Sequence, residues 1–407
     1  MTARNTKLFT LTLLCLGYFI DFYDLTIMGV SYSELIQQQF QIHSITQIQQ
    51  TYLMISNFQT AGIFIGAVLF GILGDKIGRA SAIKYSILLY SVATISAVFT
   101  HSLPVFITLR MLAYIGLATE FATSTVLIIE LFPVKSAAWG TAFLYCFGVL
   151  GGICATLIGF ISWQVMFLAG GVAGFILFLA RSKISESTEF LDAQLEHQHQ
   201  LGSLRLLLSS PKYLAVLLRY FLMNSPYYIM ITMMFIFPNY IIQHYSLAHA
   251  TKLLLLGFFS GNIISSLLSA VYKQYFNNDK PFMIATLLLF IGLMLSYSLI
   301  SESSLFIFSI GLGIIGGGYP ILLSQQAARE FPTYIRSIAS NTLFGLGRAS
   351  SIMFNLLIIR WLVTPTTFVN KSHIIATIIF SVALLSILTH KVKTKSVIHN
   401  TSDNRPS

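Results

Sequence analysis

Four ionisable side chains in this sequence stand where ionisable side chains are rare. Asp21 and Asp24 fall inside the apolar stretch 8–30, and Arg110 and Glu120 inside the apolar stretch 103–127. Carboxylates three residues apart share one face of a helix. An ionised carboxylate away from water is costly unless it is paired or protonated. Two chemistries suit such a set: reversible proton binding at an acid, and recognition of an anion by the guanidinium fork of Arg110. Arg219 and Arg348, in apolar stretches of the second half, offer further forks, and Asn224, Asn262 and Asn341 add neutral polar groups. A structural ion pair is the plainer account of these charges; against it, acids within membranes are recurrent members of proton relays. The cluster Tyr227, Tyr228, Met230, Met233 and Met234 reads as packing.

Catalysis has no such support. The chain contains no Gly-x-Ser-x-Gly, no His-Glu-x-x-His and no phosphate-binding Gly-Lys-Ser/Thr loop. Its nine histidines form no metal pattern, and Cys15, Cys146 and Cys154 all lie in apolar stretches, which argues against a disulfide framework. No catalytic residue, metal or cofactor is expected, and the chain is read as no enzyme.

The elements that must carry these residues are membrane-spanning helices. The 407 residues are 55% hydrophobic and 9% charged, with a mean hydropathy of +0.77, whereas a soluble domain carries about 25% charged residues. Apolar runs of spanning length, about 20 residues, occur at 8–30, 51–73, 81–100, 103–127, 138–161 and 163–181, then at 213–242, 251–272, 281–300, 304–326, 338–363 and 372–390. The first run exceeds a signal-peptide core and lacks a cleavage site, so it reads as a retained span. The expected organisation is an all-α membrane protein of twelve helices: a six-helix half over 1–181, a linker over 182–211, a second six-helix half over 212–391 and a tail over 392–407. A weak internal repeat supports two halves, since Phe132-Pro133 and Phe331-Pro332 are offset by 199 residues.

A net charge of +10 would suggest nucleic acid in a soluble protein, but its distribution excludes that. With Met1 cytoplasmic, 18 of the 24 Lys and Arg, Arg181 among them, fall in cytoplasmic segments; Lys252, Arg360 and Lys371 fall outside, and Arg110, Arg219 and Arg348 within spans. This is the positive-inside pattern, which puts both termini in the cytoplasm. The partners expected are the bilayer, a small solute and protons, with no nucleic acid, and the chain is expected to be a monomer of the cytoplasmic (inner) membrane.

Between the second and third spans runs Gly71-Ile-Leu-Gly74-Asp75-Lys76-Ile-Gly78-Arg79. This resembles the signature loop of the major facilitator superfamily. Arg110, Gly116, Glu120, Glu130, Pro133 and Gly140 resemble the fourth-helix pattern of its sugar porters and metabolite:proton symporters, and Gly17-Tyr-Phe-Ile-Asp21-Phe-Tyr-Asp24 is similar to the first helix of the symporters. The family's arginine before the last glycine is replaced by Ala137, Ala138 and Trp139, with Lys135 as the nearest cation. The second copy of the loop, Ala270 to Asn278, reads as having lost its charges; the second half keeps Arg336 after Phe331-Pro332, with Glu330 beside the expected position.

The resemblance implies the twelve-helix facilitator fold, alternating access, and a cytoplasmic gate formed by Gly71, Gly74, Asp75, Gly78, Arg79, Glu130, Pro133 and Arg336. Asp75 is expected to face a helix N-terminus across the halves, where the dipole favours an anion. At 1.5 Å per residue, Arg110 lies about 10 Å inside its span and Asp21 and Asp24 about 20 and 24 Å inside theirs, at similar depth in a core about 30 Å thick. Depth favours Asp21 as the proton-linked acid and the family pattern favours Asp24, with Glu120 as a third candidate. Arg110, Glu120, Arg219, Asn224, Asn341 and Arg348 are the candidate substrate contacts. The expected function is proton-coupled uptake of a small anionic or zwitterionic metabolite. A proton-driven exporter is the first rival, mildly disfavoured because the Gly148, Gly151 and Gly152 helix lacks the central proline of drug exporters; a non-transporting sensor is the second.

The topology is directly testable. Reporters fused after Lys391 and within 186–200 should both report cytoplasm, and a periplasmic signal at either place would overturn the six-plus-six arrangement.

Overall fold

The structure, a computed structural model, describes residues 3–158, 162–227, 250–295, 302–361 and 378–389. Tyr228, Met230, Met233, Met234, Lys371 and the tail lie outside them. The first half comprises α1 (Ala3–Phe40), α2 (Ile45–Lys76), α3 (Arg79–Val98), α4 (Leu103–Leu117), α5 (Glu120–Leu131), α6 (Val134–Ile158) and α7 (Trp163–Ala180). The linker carries α8 (Thr188–Glu196) and α9 (Leu204–Ser209). The second half comprises α10 (211–227), α11 (Ala250–Tyr275), α12 (Lys280–Leu295), α13 (Glu302–Glu330), α14 (Thr333–Trp361) and α15 (378–389). Among the described residues eight helices are long and apolar enough to cross a membrane, α4 and α5 counting as one, and α12 and α15 are shorter apolar helices. With α10 and α14 these fill twelve places.

The helices overrun the apolar runs from which they were read, because helical hydrogen bonding continues through the polar ends; α1 extends to Phe40. The fourth span is not the single helix expected. It breaks at Ala118 and Thr119, just after Gly116, where the Thr119 and Thr123 hydroxyls bond each other at 2.6 Å. Polar side chains near a weak helix former offer the backbone an alternative to the ladder. The rod still continues, since the Thr123 N–H donates to the Thr119 carbonyl at 2.9 Å.

Lipid tails provide no hydrophobic drive between helices, so packing depends on close approach at small residues. A methyl placed on Gly62 would meet the Met111 carbonyl at 2.6 Å, and one on Gly66 would run into the Ile115 carbonyl, which locks α2 onto α4. In the second half Gly261 lies against the Ile310 carbonyl, locking α11 onto α13. Gly62 with Met111 and Gly261 with Ile310 share the 199-residue offset of the sequence repeat. The two halves meet along α2 and α14, where Gly71 abuts Ile338, Gly74 abuts Ser337 and Gly345 abuts Ala67, and along α6 and α11, where Gly152 faces the Phe259 ring.

One reading of the repeat is corrected. The second copy of the loop does retain a charged pair: Lys273 bonds Asp279 at 2.6 Å, and Gln326 donates to the same carboxylate at 2.7 Å. Its acid lies one residue beyond the aligned stretch, so alignment alone missed it.

Close packing and open space predict opposite outcomes for two glycines. Gly66→Leu should destabilise the protein by about 1–3 kcal/mol or prevent its assembly, because the backbone of α4 cannot yield. Gly292→Ala, where a methyl meets nothing within 4 Å, should raise the melting temperature in detergent slightly, because alanine is the better helix former.

Candidate functional site

Along one face of α1 the structure arranges three charged layers. Asp24 and Arg110 meet in the first: the guanidinium donates to Asp24 Oδ2 at 3.3 Å and Oδ1 at 3.5 Å, and both groups are buried. Thr94 on α3 closes the triangle, accepting from Arg110 and donating to Asp24, each at 3.3 Å. The guanidinium also lies 4.9 Å from the Phe167 ring centroid and 5.2 Å from that of Tyr114, where the ring faces attract a cation.

Glu120, at the start of α5, takes a different partner. Arg181 grips it with both guanidinium ends, Nη1 to Oε2 at 2.8 Å and Nη2 to Oε1, and donates to the Ile83 carbonyl at 3.1 Å and the Leu13 carbonyl at 3.3 Å. The pair lies directly over Gly17, where any side chain would collide with Arg181 and Glu120. The sequence reading counted Arg181 as a loop charge. The structure buries it, at 1% exposure. Side chains lean toward the N-terminus of their helix, so an arginine ending an outgoing helix reaches back into the bundle. That direction was the signal available in the sequence.

Asp21 lies between these layers. It is wholly buried, and neither carboxylate oxygen has a hydrogen-bond partner among the described residues. The charges of Glu120, Asp24, Arg181 and, from the other half, Arg348 act on it. Asp21, Asp24 and Arg110 are therefore brought near one another as the depth argument required, but only Asp24 pairs with Arg110.

The remaining candidates divide. Among the described residues, both amide atoms of buried Asn224 on α10 are unbonded, and Asn341 on α14 donates to Thr123 at 2.8 Å while its oxygen has no partner. Arg219 is half-buried beside Tyr220, whose phenol also senses Glu330 and Asp279 at the linker-side ends of the helices. Sequence reasoning missed Tyr145, which bonds Tyr227 at 2.8 Å and donates to the Gly316 carbonyl at 2.7 Å across the two halves. Nothing in a single tyrosine of an aromatic-rich chain announces this. An aromatic seam continues between the halves, with Phe121 5.2 Å from Phe344 and Phe22 6.5 Å from Phe259.

At the linker end the halves are joined by charge. Both Asp75 oxygens accept backbone N–H groups of α14, from Ser337 at 3.0 Å and Ile338 at 2.8 Å. Arg79 contacts Asp75 at 3.3 Å and Glu130 at 3.2 Å and donates to the Thr333 carbonyl at 2.6 Å. Arg336 reaches Glu130 at 2.9 Å and Glu189 of α8 at 2.8 Å, while Ser187 donates to Glu130. Lys135 is exposed, so Arg79 and Arg336 supply the positive charge where the family's arginine is missing. Gly78 turns the chain with φ +102°, and Glu186 fits against it, accepting from the Ser81 N–H at 3.0 Å. Burial raises the Glu186 pKa above its ordinary value, although backbone N–H donors and Arg79 oppose the shift.

The Major Facilitator Superfamily model matches residues 14–353. A metabolite transport protein of Haemophilus influenzae is 26% identical over 82% of this chain and 84% of its own length. The gentisate transporter of Corynebacterium glutamicum is 25% identical over 94% and 88%. The solved structure of the proton:xylose symporter XylE from E. coli superposes with a TM-score of 0.78 at 15% identity, covering 95% of both chains. A family match over most of the length and the same helical architecture lead to one conclusion: the chain belongs to the Major Facilitator Superfamily, and it is a transporter of small metabolites rather than an enzyme.

Proposed function

We propose that this transporter takes up a small organic anion together with a proton, by alternating access, in the cytoplasmic membrane with its linker and termini inside. The observation that carries the reading is Asp21, a buried carboxylate with no hydrogen-bond donor while its two neighbouring acids each hold an arginine. Such a group is stable in low dielectric when protonated or matched by a mobile cation. Protonation from outside neutralises Asp21. The attraction of Arg348 is then left to the carboxylate of a solute held between the halves, with Asn224 and Asn341 as neutral contacts. A loaded carrier with its charges matched can rock inward; loss of the proton there restores the competition between Asp21 and the solute for Arg348. The gentisate transporter is named for an aromatic carboxylate, and the aromatic seam suits a planar ring. Proteoliposomes with opposite imposed proton gradients test direction: accumulation driven by external acid is expected, and accumulation driven by internal acid would establish an exporter.

In this reading Asp75 holds the inner gate. Two charge-assisted hydrogen bonds to a helix N-terminus contribute about 1.5–3 kcal/mol each. Asp75→Asn should therefore lower turnover while leaving ligand affinity, followed by thermal shift with a panel of carboxylates, unchanged. Equal losses in both would make Asp75 a purely structural residue.

Asp21→Asn mimics permanent protonation. It should abolish uphill accumulation and leave solute exchange measurable, because exchange requires rocking without proton release. Arg110→Ala should do more damage, costing about 3–5 kcal/mol by leaving Asp24 buried and unpaired, and Lys at that position should restore only part of the loss. Normal accumulation by Asp21→Asn, Asp24→Asn and Glu120→Gln alike would eliminate proton coupling through these acids.

A further inference from the structure

Tyr90 on α3 is buried at 1% exposure, and its hydroxyl has no hydrogen-bond partner among the described residues. The phenols of Tyr23, Tyr114, Tyr145 and Tyr319 by contrast each donate to a backbone carbonyl. The bundle is built around this ring. A methyl on Gly116 of α4 would lie 3.0 Å from Tyr90 Cβ, and one on Gly174 of α7 would lie 3.0 Å from the ring and 3.3 Å from the hydroxyl. Gly116 lets α4 approach the backbone of α3, and Gly174 leaves room for the ring itself, whose polar end has no partner among the described residues, an arrangement that is costly unless the hydroxyl is used.

The groups around it are the charged layers of α1. The Tyr90 ring shares one apolar cluster with Ile20, the neighbour of Asp21, and with Leu117, three residues before Glu120, and Glu120, Asp21, Arg181 and Asp24 are the charges that bear on the phenol. Asp24 is held by Arg110, and Glu120 by Arg181. Asp21 has both oxygens unbonded. Beyond Arg181 the chain leaves the bundle through exposed Ser182 and Lys183. Asp21, the Tyr90 hydroxyl and the Glu120–Arg181 pair all belong to the first half, and Arg181 is the member beside the linker end.

We propose that Tyr90 relays the proton from Asp21 to Glu120, so that the proton leaves through the interior of the first half and not through the solute's gate. This rests on the proton-coupled reading above. The Asp21 acid gives its proton to the phenol oxygen as the phenol's own hydrogen passes to a Glu120 oxygen. The products are an Asp21 carboxylate, an intact phenol and a neutral Glu120, with one proton moved and no charge left on Tyr90. Glu120 then loses that proton to water beside Ser182 and Lys183, and its pair with Arg181 re-forms. In this linker-closed state the phenol bonds to neither acid, so the relay is interrupted while the inner gate is latched.

The test needs no solute. In the purified full-length protein in lipid nanodiscs, acidification should produce the infrared carbonyl band of a buried carboxylic acid, assigned to Asp21 by its absence in Asp21→Asn. The rate at which that band shifts on transfer to heavy water measures proton exchange at Asp21. Tyr90→Phe, which keeps the ring in its pocket, should leave the melting temperature unchanged or raise it, and should slow the exchange by about tenfold or more. Fluorotyrosine at position 90, which keeps the hydroxyl and makes it more acidic, should exchange at least as fast as the native protein. Exchange in Tyr90→Phe at the native rate would overturn the relay while leaving Asp21 as the proton site. A band that persists in Asp21→Asn would overturn the relay and the proton-coupled reading beneath it.

Discussion

Apart from Asp75 and Arg79 at its linker end, the described interior of the first half holds three buried carboxylates, Asp21, Asp24 and Glu120, against two guanidinium groups, Arg110 and Arg181. This imbalance is the constraint on which the rest of the site depends. In a medium of low dielectric a net charge cannot be left unmatched, so the first half is complete only with a proton or with the charge of Arg348 from the second half. Both solutions have consequences outside the site. A proton makes the half self-sufficient, whereas Arg348 ties its electrostatics to the position of the other half. The same charge that must be neutralised therefore registers how the two halves sit.

The linker end imposes a second condition on that position. Asp75 and Glu130 of the first half are bound by the N-terminus and Arg336 of α14, and α8 adds Glu189 to the same arginine. These bonds are individually modest. They act together because Arg79 touches both acids and the Thr333 carbonyl, so separation of α14 breaks several of them in one movement. The α2–α14 contact is close along much of its length, through Gly71, Gly74 and Gly345, and this makes the separation a rigid-body step. A change of charge around Asp21 and the opening of the linker end thus involve the same helix, since Arg348 and Arg336 both belong to α14.

Much of this was legible in the residues themselves. The spans followed from apolar length, and the contact of Asp75 with a helix N-terminus followed from the loop motif and the dipole. Counting residues along two helices put Asp21, Asp24 and Arg110 at similar depth and matched Arg110 most nearly with Asp21, whereas the structure pairs it with Asp24. What was not legible depended on direction and on absence. Arg181 looked like a loop cation because position along the chain says nothing of where a long side chain reaches. Gly17 looked like one small residue among many, although it makes the room that lets Glu120 and Arg181 meet. Asp21 and Asp24 were indistinguishable from spacing, because the difference between them is that Thr94 and Arg110 bond one and leave the other.

The 199-residue offset that pairs the glycine contacts of the two halves also aligns their charged positions with neutral ones. Asp21, Asp24, Arg110, Glu120 and Arg181 correspond to Tyr220, Met223, Ser309, Tyr319 and Phe380. Where the first copy joins α1 to its neighbours by ion pairs, the second joins α10 to α13 through the Tyr319 hydroxyl on the Met223 carbonyl. The duplicated frame has divided its labour: at these five places one copy carries charge and the other carries neutral side chains. A charge gained or lost at one of these places is therefore borne by one half alone, with no matching event at the corresponding place of its twin.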